Sequence, residues 1–156
     1  MAAYIASAEN RPQKAIRRAQ RAQQLVEKGV NRIVAVYVSA MLGKLYVQLG
    51  RDAEAEVLLR QAVAAGLEGK KAFEVGYSLL DLGALYERQG RVRLAALSFL
   101  AACQIHTQLT THLQDLAIEE LRRFRQTHVY ADLLEWMDRK QRSPWMELTT
   151  TLLQGS

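Results

Sequence analysis

Three histidines, one cysteine and sixteen acidic residues are the side chains from which this 156-residue chain could build a catalytic or metal centre. His106, His112 and His128 contain no pair at the i, i+4 spacing that turns two imidazoles toward one helical zinc site. A lone Cys103 can form neither a thiolate cluster nor an intrachain disulfide. It reads as a buried small apolar residue in a packed helix, with a reactive thiol as the alternative. Asp115, Glu119 and Glu120 fall on a predicted helix with no histidine or serine beside them, the pattern of a solvated face. No glycine-rich phosphate loop occurs, and the nine glycines are accounted for by helix ends and close packing. These residues predict a non-catalytic protein with no cofactor and no metal.

The charges are unevenly placed along the chain. The net charge is +5, and its excess is local: residues 1–50 hold eight Lys and Arg against two Glu. Residues 51–105 hold seven against seven, and residues 106–156 hold six against seven. Arg11, Lys14, Arg18 and Arg21 share one helical face, with Arg17 beside it. Such a stripe is either a solvated outer face or a dock for an acidic partner, nucleic acid or an anionic surface.

The elements that position these residues are helical. Only two prolines interrupt the chain, and Ala, Leu, Gln, Arg and Glu, all good helix formers, dominate it. Residues 76–102, GYSLLDLGALYERQGRVRLAALSFLAA, predict two short antiparallel helices about a turn at Gln89-Gly90-Arg91. Leu79, Leu82, Gly83 and Tyr86 form one stripe at i, i+3, i+4, i+7, answered by Ala95, Phe99 and Ala102. Gly83 stands where a Cβ would hold the partner helix away, and Gly90 where the chain must leave the helix at φ > 0. An offset of 40 residues repeats the pattern: Tyr77, Leu82, Gly83, Tyr86, Gly90, Arg91, Ala95 and Ala102 fall on Tyr37, Leu42, Gly43, Tyr46, Gly50, Arg51, Ala55 and Ala62. Phe99 falls on Leu59. A further step carries Gly50-Arg51 to Asn10-Arg11, Ala55 to Ala15 and Ala62 to Ala22.

This Leu-Gly, Tyr, Ala, large-apolar, Ala spacing resembles the tetratricopeptide repeat family. The period exceeds that family's basic length of about 34 residues, and is similar to the long repeats of kinesin light chains and of the sensor regions of large bacterial regulators. The extra residues are expected around Gly66-Leu67-Glu68-Gly69, where one unit ends and the next begins. Ser39 and Leu79 replace the family's early aromatic, and its closing proline is missing, which leaves the superhelical pitch open. The resemblance covers residues 1–109. It implies an all-α, right-handed α-solenoid of stacked antiparallel helix hairpins. Its parts are a half repeat 1–29, repeats 31–68 and 70–109, a C-terminal capping helix pair 110–142, and a short helix or tail at 143–156.

In this family the first helix of each unit lines a concave groove. The matching positions are Tyr37, Ala40, Lys44, Val47 and Gln48, then Tyr77, Leu80, Ala84, Glu87 and Arg88. Tyr46 and Tyr86 would point into the packing seam. The implied function is a protein–protein interaction module, the scaffold or sensor part of a larger protein, that takes a peptide or helix in the groove. The family's clamp on a C-terminal carboxylate is disfavoured, since Lys44 and Asp81 stand where it needs Asn. Binding of nucleic acid or another anionic partner through residues 12–28 is the alternative.

Local signals complete the reading. Residues 1–9 match the tail of a first helix, predicted to pack on Ala15, Ile16 and Ala19. This fits a domain cut from a longer solenoid or a short natural cap. Pro12 suits a first helical turn, and the inner stripe of that helix is Ala15, Ile16, Ala19, Ala22 and Val26. Asn31 and Asp52 are predicted N-caps. Thr110 or Thr111 is expected to cap a helix bearing Leu113, Leu116, Ala117, Leu121 and Phe124. Thr127 is expected to start another bearing Tyr130, Leu133, Leu134, Trp136 and Met137. Ser143-Pro144 opens a last helix that either covers the end of the stack or, like residues 1–9, mediates self-association through residues 145–153. No run of 18 apolar residues exists and MAAYIASAEN lacks the features of a signal peptide, so no membrane span and a cytoplasmic location are expected.

Overall fold

The computed structural model describes residues 12–28, 31–69, 71–106 and 112–155. Among them are eight helices and no strand: α1 (Pro12–Glu27), α2 (Arg32–Gln48), α3 (Asp52–Glu68), α4 (Ala72–Arg88), α5 (Val92–His106), α6 (His112–Thr127), α7 (Ala131–Lys140) and α8 (Trp145–Gln154). Residues 1–11, with the expected helix at 1–9, Asn10 and Arg11, lie outside the described residues, as do Thr110 and Thr111. The side chains of Val26 and Leu113 also lie outside them.

Two glycines fix the same turn 40 residues apart. Gly50 and Gly90 have φ of 70° and 73°, a region that costs a side-chain-bearing residue steric strain. Past each glycine the next amide reaches back five residues: Arg51 N–H donates to the Tyr46 carbonyl at 2.9 Å and Arg91 N–H to that of Tyr86 at 2.8 Å. This closes the last turn of α2 and of α4 in Schellman geometry. Nothing lies within 4 Å of a Cβ built on either glycine, so only the backbone resists substitution. Gly90→Ala and Gly50→Ala should therefore each cost about 1 kcal/mol in urea melts. A loss nearer zero at both would contradict the left-handed turns.

At three helix boundaries the structure confirms or corrects the local signals. Asn31 does cap α2, its Oδ1 accepting from the Ile33 amide at 3.2 Å. Asp52 does not cap α3; it is the first helical residue, Arg51 holds the cap position without a side-chain bond, and the Asp52 carboxylate pairs with Arg88 instead. Thr127 does not start a helix. It ends α6, its hydroxyl donating to the Arg123 carbonyl at 2.9 Å, and α7 begins only at Ala131 after a three-residue connection. Tyr130, expected on the apolar stripe of that helix, sits in the connection and is exposed.

Close approach of helices follows from missing Cβ atoms. A Cβ on Gly83 would lie 2.6 Å from the Phe99 ring, and one on Gly43 2.8 Å from Leu59. Gly66, expected in a unit junction, lies inside α3, where a Cβ would meet Val75 at 2.5 Å. It is a third close-packing glycine, joining α3 to α4.

Consecutive helices from α1 to α6 pack on one another; α2 also touches α4, and α4 touches α6. The buried stripes form one core that includes Ala15, Leu42, Leu59, Leu82, Phe99 and Phe124. Beyond α6 the pattern changes. Helix α7 rests on α5, and its extent along α6 is slight compared with the α2–α3 and α4–α5 pairs, because the extended connection His128–Tyr130 swings it away. Helix α8 lies against both α5 and α3, burying Trp145, Leu148, Thr149 and Leu152. Its three consecutive threonines send their hydroxyls to the carbonyls of Trp145, Met146 and Glu147 at 2.6, 2.8 and 2.9 Å. The Arg60 guanidinium of α3 fastens its end, donating to the Leu153 carbonyl at 2.5 Å and the Tyr86 hydroxyl at 3.0 Å.

Candidate functional site

Helices α2 and α4 lie side by side, and the periodicity that buries Tyr46 and Tyr86 turns other aromatics outward. Tyr37 on α2 is 50% exposed, and Ile33 and Val34 one turn earlier are also exposed. On α4, Phe73 is exposed and meets Tyr77 edge-on, with ring centroids 5.0 Å apart and planes at 72°. Tyr77 is half-buried. Ile33 and Phe73 fall outside the groove positions that the sequence suggests, although the 40-residue offset relates them.

One to two turns further along, the same surface becomes charged. Lys44 and Gln48 are exposed on α2, and Asp81 on α4 is partly buried beside Lys44. Burial pushes the Asp81 carboxyl up to about 6 from 3.8, and the nearby Lys44 charge only partly offsets this. One turn before it, the Ser78 hydroxyl is buried and is the one buried side-chain polar atom without a hydrogen-bond partner among the described residues. A raised carboxyl pKa means that the folded chain holds a proton the unfolded chain has released. Stability from Asp81 therefore falls as pH rises from about 4 to about 6 and then levels. Asp81→Asn should raise stability at pH 7 by about 1–2 kcal/mol and remove that slope. A tenfold change in proton affinity corresponds to roughly 1.4 kcal/mol, and solvent screening at a partly exposed carboxyl reduces the total. Urea melts across this pH range would show it.

The two remaining charged groove positions, Glu87 and Arg88, are tied to other elements. Glu87 accepts from Arg123 at 2.6 Å and pairs with His128 at 2.9 Å, joining α4 to α6 and the connection that follows. The Arg123 guanidinium holds the Glu87 carboxyl below its ordinary range, against the opposing effect of burial. Arg88 pairs with Asp52 of α3. Of the six polar or aromatic groove positions, the structure leaves Tyr37, Tyr77, Lys44 and Gln48 on the α2–α4 face and engages Glu87 and Arg88 in ties between helices.

Tyr46 and Tyr86 show a repeated arrangement. Gln20 donates to the Tyr46 hydroxyl at 2.8 Å, and Arg60, 40 residues later, donates to that of Tyr86 at 3.0 Å. Arg51 stacks over the Tyr46 ring at 4.2 Å and Arg91 over the Tyr86 ring at 4.6 Å. The basic residues Lys14, Arg17, Arg18 and Arg21 are exposed on α1, whose other side buries Ala15, Ile16 and Ala19.

The thiol of Cys103 is partly buried, donates to the Ala117 carbonyl at 3.2 Å, and is pushed up to about 12 by burial, so it is protonated at neutral pH. Among the described residues no group of three or more His, Cys, Asp or Glu could hold a metal ion, and no helix is long and apolar enough to cross a membrane. Compared with known proteins, the chain matches no protein-family model, no curated protein and no solved structure.

Proposed function

We propose that this chain is a tetratricopeptide-like α-solenoid that works as a non-catalytic protein–protein interaction module, receiving a peptide or helix on the α2–α4 face. The observation that carries the reading is the outward aromatic and apolar strip of Ile33, Val34, Tyr37 and Phe73, three of these residues within two turns of one helix. Exposed aromatics with few rotatable bonds give contact area at low entropic cost. Contiguous apolar surface of this kind marks interaction sites on folded chains. The packing of α2 on α4 and of α4 on α6 supports a row of first helices lining one side, as the repeat family implies. A right-handed superhelix and a cytoplasmic setting belong to the same proposal. The Cys103 thiol, partly buried and held protonated by burial, is poorly placed to act as a nucleophile, which is in keeping with a binding role.

Selection of peptides from a displayed library, followed by calorimetry on the enriched sequences, tests this. Tyr37→Ala with Tyr77→Ala should weaken the selected peptides at least about tenfold, the scale of one or two lost aromatic contacts. Val57→Ala, an exposed residue on α3, should leave them unchanged. Peptides that bind equally well to the double variant would remove this face as the site.

A further inference from the structure

We infer that the outer face of α1 is a docking surface for the phosphate backbone of a double-stranded nucleic acid. The inference stands apart from the α2–α4 face. Lys14, Arg17 and Arg21, with Arg18 on the same stripe, are exposed on a helix with no acidic residue in its first turn and only Glu27, its last residue, as an acid. Lys14, Arg17 and Arg21 make no ion pair or hydrogen bond among the described residues. The later arginines behave differently. Arg51, Arg88, Arg91, Arg123, Arg125 and Arg139 all sit in ion pairs within the chain. Arg60 serves backbone carbonyls and Tyr86, and Arg93 lies over the Trp136 ring at 5.7 Å. Arg122 on α6 and Arg142 after α7 also make no ion pair among the described residues but stand apart, whereas α1 gathers three such cations on one stripe.

The residues between those cations select the partner. Those beside them that are exposed are glutamines, Gln13, Gln20 and Gln24, and among the described side chains the exposed face carries no aromatic or large apolar residue. Protein interfaces are built around buried aromatic and apolar centres with few charges, which this face lacks. A membrane-surface helix needs apolar side chains to insert, and single strands are held by stacking on aromatic rings. Interfaces with duplexes are polar and strongly positive, as this one is. The stripe from Lys14 to Arg21 covers about 10.5 Å of helix axis at 1.5 Å per residue. A duplex presents about one negative charge per 1.7 Å, so several phosphates fall within reach and no base need be read.

Fluorescence anisotropy with a labelled DNA or RNA duplex of about 20 base pairs, between about 50 and 200 mM KCl, tests the assignment. The parent chain should bind both duplexes without sequence preference. Its affinity should fall with a log–log salt slope of about −3, the value for roughly three neutralised phosphates. Lys14→Gln with Arg17→Gln and Arg21→Gln should weaken binding at least about tenfold and flatten the slope by about one per cation removed. Glutamine keeps helix propensity, and unchanged circular dichroism would show that the fold is intact. Arg122→Gln with Arg142→Gln, two exposed arginines elsewhere, should bind as the parent does. Duplex binding by the triple variant equal to that of the parent would overturn the inference. So would absence of duplex binding, tighter binding of a single strand, or preference of these same cations for a poly-glutamate peptide or phosphatidylserine vesicles.

Discussion

Gly83→Leu should destabilise the fold by about 2–4 kcal/mol, since inserting methylenes into a packed seam forces side chains off their rotamers and backbones apart. Even the first added carbon is obstructed: it would meet three atoms of the Phe99 ring between 2.6 and 2.9 Å. That ring is completely buried and backed by Phe124, whose centroid is 5.5 Å away, so it has nowhere to turn. At Gly43 the obstructing atoms are Cγ and Cδ2 of Leu59, a side chain with other rotamers available. Gly43→Ala should accordingly cost less than Gly83→Ala in the same urea titration. Combining Gly83→Leu with Phe99→Ala should lose less than the two single changes summed, because the second change vacates the space the first needs. A Gly83→Leu chain as stable as the parent would remove the close-packing account of α4 on α5.

Tyr86→Ala should cost about 3–5 kcal/mol, the range for emptying a buried aromatic site. Its ring is completely buried, Arg91 stacks over one face at 4.6 Å, and Arg60 donates to its hydroxyl at 3.0 Å. Tyr86→Phe keeps the ring and removes only the hydrogen bond, so about 1 kcal/mol is expected. The contrast with Tyr37→Ala separates packing from surface roles: half of that side chain is in solvent, and its loss should change stability by no more than about 0.5 kcal/mol. Denaturant melts of the three variants give the ordering directly. A Tyr37 loss comparable to that of Tyr86 would contradict the assignment of one tyrosine to the seam and the other to the surface.

What the sequence made legible was whatever recurs with the period. Gly50 and Gly90, Gly43 and Gly83, and Tyr46 and Tyr86 are each related by 40 residues, and each pair occupies equivalent environments. The offset works because each unit meets the same neighbours through short-range contacts. Gly66 escapes it because it has no counterpart in the other unit: position 106 is histidine. By type it reads as a loop residue, although its role is to admit Val75. Asp52 misleads because an acid after a glycine turn matches a cap by type, while the structure directs its charge to Arg88 in the next unit. Of the surface, the tyrosines were legible from the offset. The engagement of Glu87 was not, because Arg123 and His128 lie 36 and 41 residues away on a segment where the period has already failed.

The contact made by Arg60 with the end of α8 has a kinetic consequence. Most contacts here join helices that follow one another, the low contact order that lets helical chains fold quickly. Arg60 reaches across 92 and 93 residues to the Leu152 and Leu153 carbonyls, while α8 itself lies across α3 and α5. Such a bridge closes a loop of most of the described chain, and loop closure must be completed before its contacts are gained. It links units that would otherwise unfold one after another, as arrays with only nearest-neighbour contacts do. Loss of the bridge, as in Arg60→Met, is expected to leave the early helices forming as fast as before while broadening the unfolding transition.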